Sequence, residues 1–183
     1  MFNFETHITV DITTVDQLDT FKRVCNMMNV KPIIINPTGD VSQVMTSSTT
    51  RRASLQDVID NVYAQAFVLK ENNLRVIREK IESCPKFIKM TGAEYHYWEI
   101  HVPCHTDKLS IISSAGLSGA WHTSRNEFKP NVTMLTFRSA DTNDITIKQH
   151  DVDIMLKLGI VTPSFKDHVE YAVYDTNYRL DDK

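Results

Sequence analysis

The order of its elements predicts an α+β protein made of two tandem β-α-β-β-α-β halves related by internal pseudo-two-fold symmetry. The halves are expected over residues 1–83 and 94–176, with a flexible tail over 177–183. Three observations predict this arrangement. The spacing of apolar residues switches repeatedly between the two-residue period of strands and the 3.6-residue period of helices. A segment over 83–93 with Pro85 and Gly92 divides the chain near its middle. A short pattern also occurs twice: Phe4-Glu5-Thr6-His7-Ile8 and Trp98-Glu99-Ile100-His101-Val102 share an aromatic, a Glu, any residue, a His and a β-branched aliphatic. The two histidines stand 94 positions apart (101 − 7), about half of the 183-residue chain.

Residues 3–12 alternate and are rich in β-formers, which predicts a strand. Thr14 with Gln17 three positions later forms a capping box. Val15, Leu18, Phe21, Cys25 and Met28 follow at helical spacing, so a helix covers 15–29. Val30 to Ile35 is a short buried strand, Pro37-Thr38-Gly39-Asp40 has turn chemistry, and 41–47 can form a further strand. Ser54 can cap a second helix whose inner face is Leu55, Val58, Ile59, Val62, Ala66 and Leu69. Asn72-Asn73 ends it, so Leu74 to Glu82 is expected as a strand and 83–93 as the linker. The order then repeats. A strand over 94–103 ends at Pro103, and a short helix over 106–115 stops near Gly116. Residues 117–122 form a weak strand, Val132 to Arg138 alternates as a strand, and a helix over 146–158 ends at Gly159. Val169, Tyr171 and Val173 mark the last strand. Each half therefore has the ferredoxin-like order.

Hydrophobic residues make up 42% and charged residues 23% of the chain, enough apolar material for a core without covalent staples. A net charge of −3 gives no basic field for gripping duplex DNA, though a nucleotide or an RNA end needs none. Three widely spaced cysteines, Cys25, Cys84 and Cys104, fit reduced thiols and a cytoplasmic setting better than a disulfide framework. The N-terminus lacks a basic-then-apolar signal pattern, and no apolar run is long enough to span a bilayer.

On a strand, side chains two positions apart share a face, so each copy of the pattern presents Glu and His together. His7 and His101 are thus candidate general acid and base, with Glu5 and Glu99 orienting their rings. Met45-Thr46-Ser47-Ser48 near Arg51 and Arg52, and Trp121-His122-Thr123-Ser124-Arg125, pair hydroxyls with guanidinium groups, which suits phosphate oxygens. Thr9, Thr46, Ser47, His122, Ser124 and Arg125 are the candidate substrate-binding residues. Tyr95, Tyr97 and Trp98 could stack on a base or simply fill the core. Cys104-His105 is a weaker thiol–imidazole candidate, because neighbours on a strand point apart.

Thr6-His7-Ile8-Thr9-Val10 resembles the signature strand of the 2H phosphoesterase superfamily, whose members are duplicated α+β folds with two His-x-Thr/Ser motifs. In that family each His serves as acid or base and each hydroxyl binds phosphate. His7 and Thr9 match the pattern. His101 matches, but Pro103 stands where the second hydroxyl belongs, and proline offers neither a hydroxyl nor an N–H. The resemblance implies a metal-independent phosphoesterase acting on a nucleotide, a cyclic (di)nucleotide or an RNA end, with no cofactor.

Two further readings use the same residues. One is a non-catalytic module that sequesters a nucleotide or covers a protein partner. The other is a metal protein, since two His and two Glu are acceptable ligands for Zn²⁺, Fe²⁺ or Mn²⁺. It is similar to the vicinal-oxygen-chelate superfamily in using His and Glu from duplicated modules, but there Glu and His lie on different strands.

Overall fold

A computed structural model describes residues 1–37, 43–115, 117, 121–126, 129–162 and 169–178. The expected turn at Thr38-Gly39-Asp40, the helix stop at Gly116 and residues 179–183 of the expected tail lie outside the described residues. Within them the chain is a mixed α+β protein of eight strands and five helices; β1 pairs antiparallel with β3 and β4, β2 with β6, β4 with β8, and β7 with β5 and β6.

The elements are β1 (Phe2–Asp11), α1 (Val15–Met28), β2 (Lys31–Pro37), β3 (Gln43–Arg52), α2 (Leu55–Glu71), β4 (Arg75–Ser83), α3 (Pro85–Thr91), β5 (Tyr97–His105), α4 (Leu109–Ser114), β6 (His122–Asn126), β7 (Val132–Ser139), α5 (Asn143–Lys157) and β8 (Val169–Asp175). They divide into two compact units. Unit 1 contains Met1–Ile34, Gln43–His96 and Tyr171 to Tyr178; unit 2 contains Ile35 to Pro37 and the described residues of Tyr97–Glu170.

In unit 1 the strands run in the order β4-β1-β3-β2, the ferredoxin-like order, and Tyr171–Asp175 of β8 extends the sheet beside β4. Phe4, Ile8 and Val10 of β1 turn to one face and join Phe21, Val24 and Cys25 of α1 and Val58, Val62, Ala66 and Leu69 of α2 in one core. Asn3, Glu5, His7 and Thr9 alternate onto the face away from that core. Thr14 caps α1 by accepting from the Gln17 N–H at 3.2 Å, and Ser54 caps α2 by accepting from the Asp57 N–H at 3.2 Å. Gln17 reaches back to the N–H of Thr13 at 2.8 Å, one residue earlier than a regular capping box.

In unit 2 the strands run in the order β6-β7-β5, with Val169-Glu170 of β8 on the far side of β5. Ile35, Asn36 and Pro37 pair with Asn126, Arg125 and Ser124 of β6. Trp98, Ile100, Val102 and Cys104 of β5 are buried on one face, as is Leu135 opposite Val102. Glu99, His101 and Pro103 occupy the other.

Two expectations are corrected. The segment read as a linker holds a helix, α3: Pro85 fills its first turn, where no N–H is needed, and Gly92 ends it at φ +66°. Pro103 does not end its strand. Its carbonyl accepts from the Thr162 N–H at 2.8 Å and pairing with β7 runs on to His105. Residues 118–120 of the strand expected over 117–122 lie outside the described residues, and His122 opens a strand that runs to Asn126.

Candidate functional site

Each copy of the Glu-x-His pattern lies on the strand face opposite its buried apolar residues.

In unit 1, the register pairs Glu5 with Glu82 and His7 with Lys80 across β1 and β4. The His7 ring, 12% exposed, has its Nε2 3.1 Å from Glu82 Oε2 and 3.5 Å from Glu5 Oε1. Its Nδ1 lies 3.2 Å from the backbone carbonyl of Thr46. Both carboxylates are held in turn. Ser47 Oγ donates to Glu5 Oε1 at 2.9 Å, and Lys80 Nζ donates to Glu82 Oε1 at 2.9 Å. Glu82 is 1% exposed and Glu5 is 35% exposed. Thr46 serves the backbone, because its hydroxyl accepts from the Ile8 N–H at 3.1 Å. Thr9 follows His7 on the same face but is buried, and its cross-strand neighbour is Met45.

In unit 2, His101 is paired with Thr136 across β5 and β7, and Thr136 is paired with His122 across β7 and β6. Directly opposed residues share a face, so an imidazole, a hydroxyl and a second imidazole form a row across three strands. His101 Nδ1 is 2.9 Å from Thr136 Oγ1. Its Nε2 lies 3.3 Å from Glu99 Oε2 and 3.7 Å from Glu170 Oε2. Glu99, 1% exposed, has its other oxygen fixed by Arg138, whose Nε donates at 2.7 Å and whose Nη2 also contacts it. The Arg138 guanidinium also lies over the Tyr97 ring, 4.1 Å from its centre. His101 is 30% exposed and His122 is exposed. Ser124 sits two residues beyond His122 and so on the same face, opposite Met134. Arg125 is opposite Thr133 and alternates onto the other face.

The sequence therefore supplied the central Glu and His of each cluster. Glu82, Glu170, Lys80, Thr136 and Arg138 were not singled out, since they come from strands distant in sequence and form no local motif. Ser47 on β3 stands two residues after Met45, which is opposite Thr9, and Thr136 on β7 stands two residues after Met134, which is opposite Pro103. The segment 121–126 instead lies on β6.

Trp98, Tyr97 and Cys104 are buried. Trp98 is fully buried and donates its Nε1–H to the Asp141 carbonyl at 2.9 Å. Tyr95 packs edge-on against Tyr171 at 4.7 Å, and His96 stacks on Tyr178 at 6.1 Å. Burial pushes the Cys104 thiol up to about 12, which keeps it protonated beside His105. No helix among the described residues is long and apolar enough to cross a membrane.

No family model matches the chain, and no curated protein matches it. It is similar to a microcompartment protein from Desulfitobacterium hafniense at 10% identity, covering 94% of this chain and 95% of that one with a TM-score of 0.32. A protein from Bacteroides thetaiotaomicron is 11% identical over 88% of this chain and 91% of its own, with a TM-score of 0.32. The regulatory subunit of aspartate kinase from Thermus thermophilus is 10% identical over 83% and 92%, with a TM-score of 0.28. Values this low carry nothing about family, activity or ligand.

Proposed function

We propose that the protein is a phosphoesterase whose acid–base pair is His101 and His122 of unit 2. The observation that supports this most is the row His101–Thr136–His122. Two strand spacings set the backbones of the histidines about 9–10 Å apart. From that separation the His122 ring can reach a group lying over Thr136 directly, and His101 can exchange a proton with it through the Thr136 hydroxyl that its Nδ1 contacts. One imidazole takes the proton of the attacking water as the new P–O bond forms. The other protonates the leaving oxygen as the old bond breaks.

The supporting residues fit these roles. Arg138 holds Glu99, and Glu99 holds Nε2 of His101, so the ring is oriented by a carboxylate that is itself fixed. Thr136 both donates and accepts, so it can stay bonded to Nδ1 whichever partner carries the hydrogen. Ser124 adds a second hydroxyl for a phosphate oxygen. The substrate class, a nucleotide, cyclic (di)nucleotide or RNA end in the cytoplasm, rests on the likeness of Thr6–Val10 to the 2H phosphoesterase strand and on this acid–base chemistry. It requires no metal or other cofactor. We also read the shared strand order, the two Glu-x-His strands and the Met45/Met134 and Ser47/Thr136 equivalences as traces of a duplication.

Hydrolysis of 2′,3′-cyclic nucleotides and cyclic dinucleotides tests the reading. His101→Ala and His122→Ala should each lower turnover by about 10²–10⁴-fold. Turnover indifferent to both substitutions would end the assignment. Tight nucleotide binding without turnover would favour the sequestering module.

A further inference from the structure

We infer that unit 1 carries a site of its own, an open pocket around Arg51, Lys86 and Asn3 that binds the phosphate group of a small phosphomonoester. This site is independent of the acid–base reading of unit 2.

Charge is unevenly spread along the chain. It is acidic overall, with 23 Asp and Glu against 20 Lys and Arg. Yet residues 41–56 hold Arg51 and Arg52 and no acid, and residues 83–93 hold Lys86 and Lys89 and no acid. The fold of unit 1 brings these two basic segments to one end of its sheet. Asn3 of β1 stands directly opposite Arg51 of β3, so their side chains share the face that carries Glu5 and His7. On the other side of β1, Ser83 Oγ donates to the Asn3 carbonyl at 3.4 Å, which keeps Cys84 and the start of α3 beside Asn3. Phe87 anchors α3, its ring edge-on to Phe2 at 5.1 Å and to Phe4 at 5.0 Å. Lys86 is thereby held at the rim. The result is a cavity of about 340 Å³ lined by Met1, Phe2, Asn3, Arg51, Cys84 and Lys86.

The lining selects the ligand. It contains two cations and no carboxylate. Among the described residues, Arg51 and Lys86 have no ion-pair partner. Glu5, the nearest acid along β1, is taken by Ser47 Oγ at 2.9 Å. A guanidinium offers a fork of N–H donors, an ammonium offers a point charge, and the Asn3 amide adds two donors. Two cations without a counter-ion suit a dianion better than a single carboxylate. A phosphomonoester has about −1.5 to −2 charges near pH 7 and three terminal oxygens to accept these donors. Phe2 and Met1 give its organic part an apolar wall. The volume lies near the lower end of the roughly 300–1,000 Å³ usual for small-molecule pockets, which sets the size of the ligand.

Cys84 supplies the test, because it lines the pocket and is half-buried, whereas Cys25 and Cys104 are buried. The full chain is alkylated with iodoacetamide and labelling of Cys84 is followed by mass spectrometry. Inorganic phosphate and glycerol 3-phosphate should each slow it in a saturable way, and glycerol should not. Arg51→Gln should raise the concentration giving half protection by about tenfold, the weight of one charge-assisted hydrogen bond. Lys86→Gln should raise it by less, since a flexible ammonium makes a single-point contact. Both residues are exposed, so both variants should fold. His122→Asn should be protected as the parent is, whatever its phosphoester turnover, which separates this site from the unit 2 reading. No saturable protection, equal protection by glycerol, protection unchanged by both unit 1 substitutions, or protection only by phosphatidate vesicles would each overturn the proposal.

Discussion

The two histidine clusters differ most at the nitrogen that faces away from the carboxylates. In unit 1, His7 Nδ1 meets a backbone carbonyl; in unit 2, His101 Nδ1 meets the hydroxyl of Thr136. A carbonyl accepts only, so it holds one tautomer. A hydroxyl can reverse its role, so the ring can gain or lose a proton there without losing its partner. Nearly the same strand pattern thus supports a fixed ring in one unit and an exchangeable one in the other. The cations differ too. Lys80 meets Glu82 as a single point charge, whereas Arg138 grips Glu99 with two nitrogens and stacks on Tyr97.

The largest effect that could break this comparison comes from removing those cations. Lys80→Met and Arg138→Met each leave a carboxylate of 1% exposure without its cation, and should cost about 3–5 kcal/mol in urea unfolding. Arg138→Met should cost more, because contacts from two nitrogens to one carboxylate oxygen and the stacking on Tyr97 are lost. Equal losses would say the guanidinium geometry is irrelevant.

Changing the hydroxyls sharpens the contrast at smaller cost. Thr136→Val keeps the shape of the β7 side chain and removes the bond to His101; stability should fall by about 1 kcal/mol and phosphoester turnover by about tenfold. Ser47→Ala frees Glu5 and should cost about 1 kcal/mol as well.

The mildest test follows thiols. Burial pushes Cys25 in unit 1 and Cys104 in unit 2 each up to about 12 from an ordinary 9.0. Both should resist alkylation at pH 8 until their unit opens, so mass spectrometry of labelled peptides in rising urea reports the two units separately. Raised native values also fix the sign at high pH. The unfolded thiols ionise first, so stability present below about pH 9 should decline as pH approaches 12. Labelling of either cysteine at pH 8 without denaturant would contradict the burial.

Much of the framework was legible locally. Thr14 and Ser54 are caps where their spacing to Gln17 and Asp57 implies them, and the alternation of β1 does separate Phe4, Ile8 and Val10 from Glu5 and His7. α3 was missed because a seven-residue helix has too few turns to show a period, although Pro85 and Gly92 marked its two ends. β5 was cut short because Pro103 was read as a breaker, when its missing N–H leaves pairing to β7 intact.

What this chain settles by itself is what depends on neighbours along the backbone: helix starts, which residues alternate to one face, and the pairing of Glu5 with His7 and of Glu99 with His101. What only the folded sheet decides is who stands across from them. Glu82 meets His7 from 75 residues away in sequence (82 − 7), and Thr136 meets His101 through strand register. Register follows from which face each sheet buries, and a slip of one residue would turn every one of these polar groups to the opposite side.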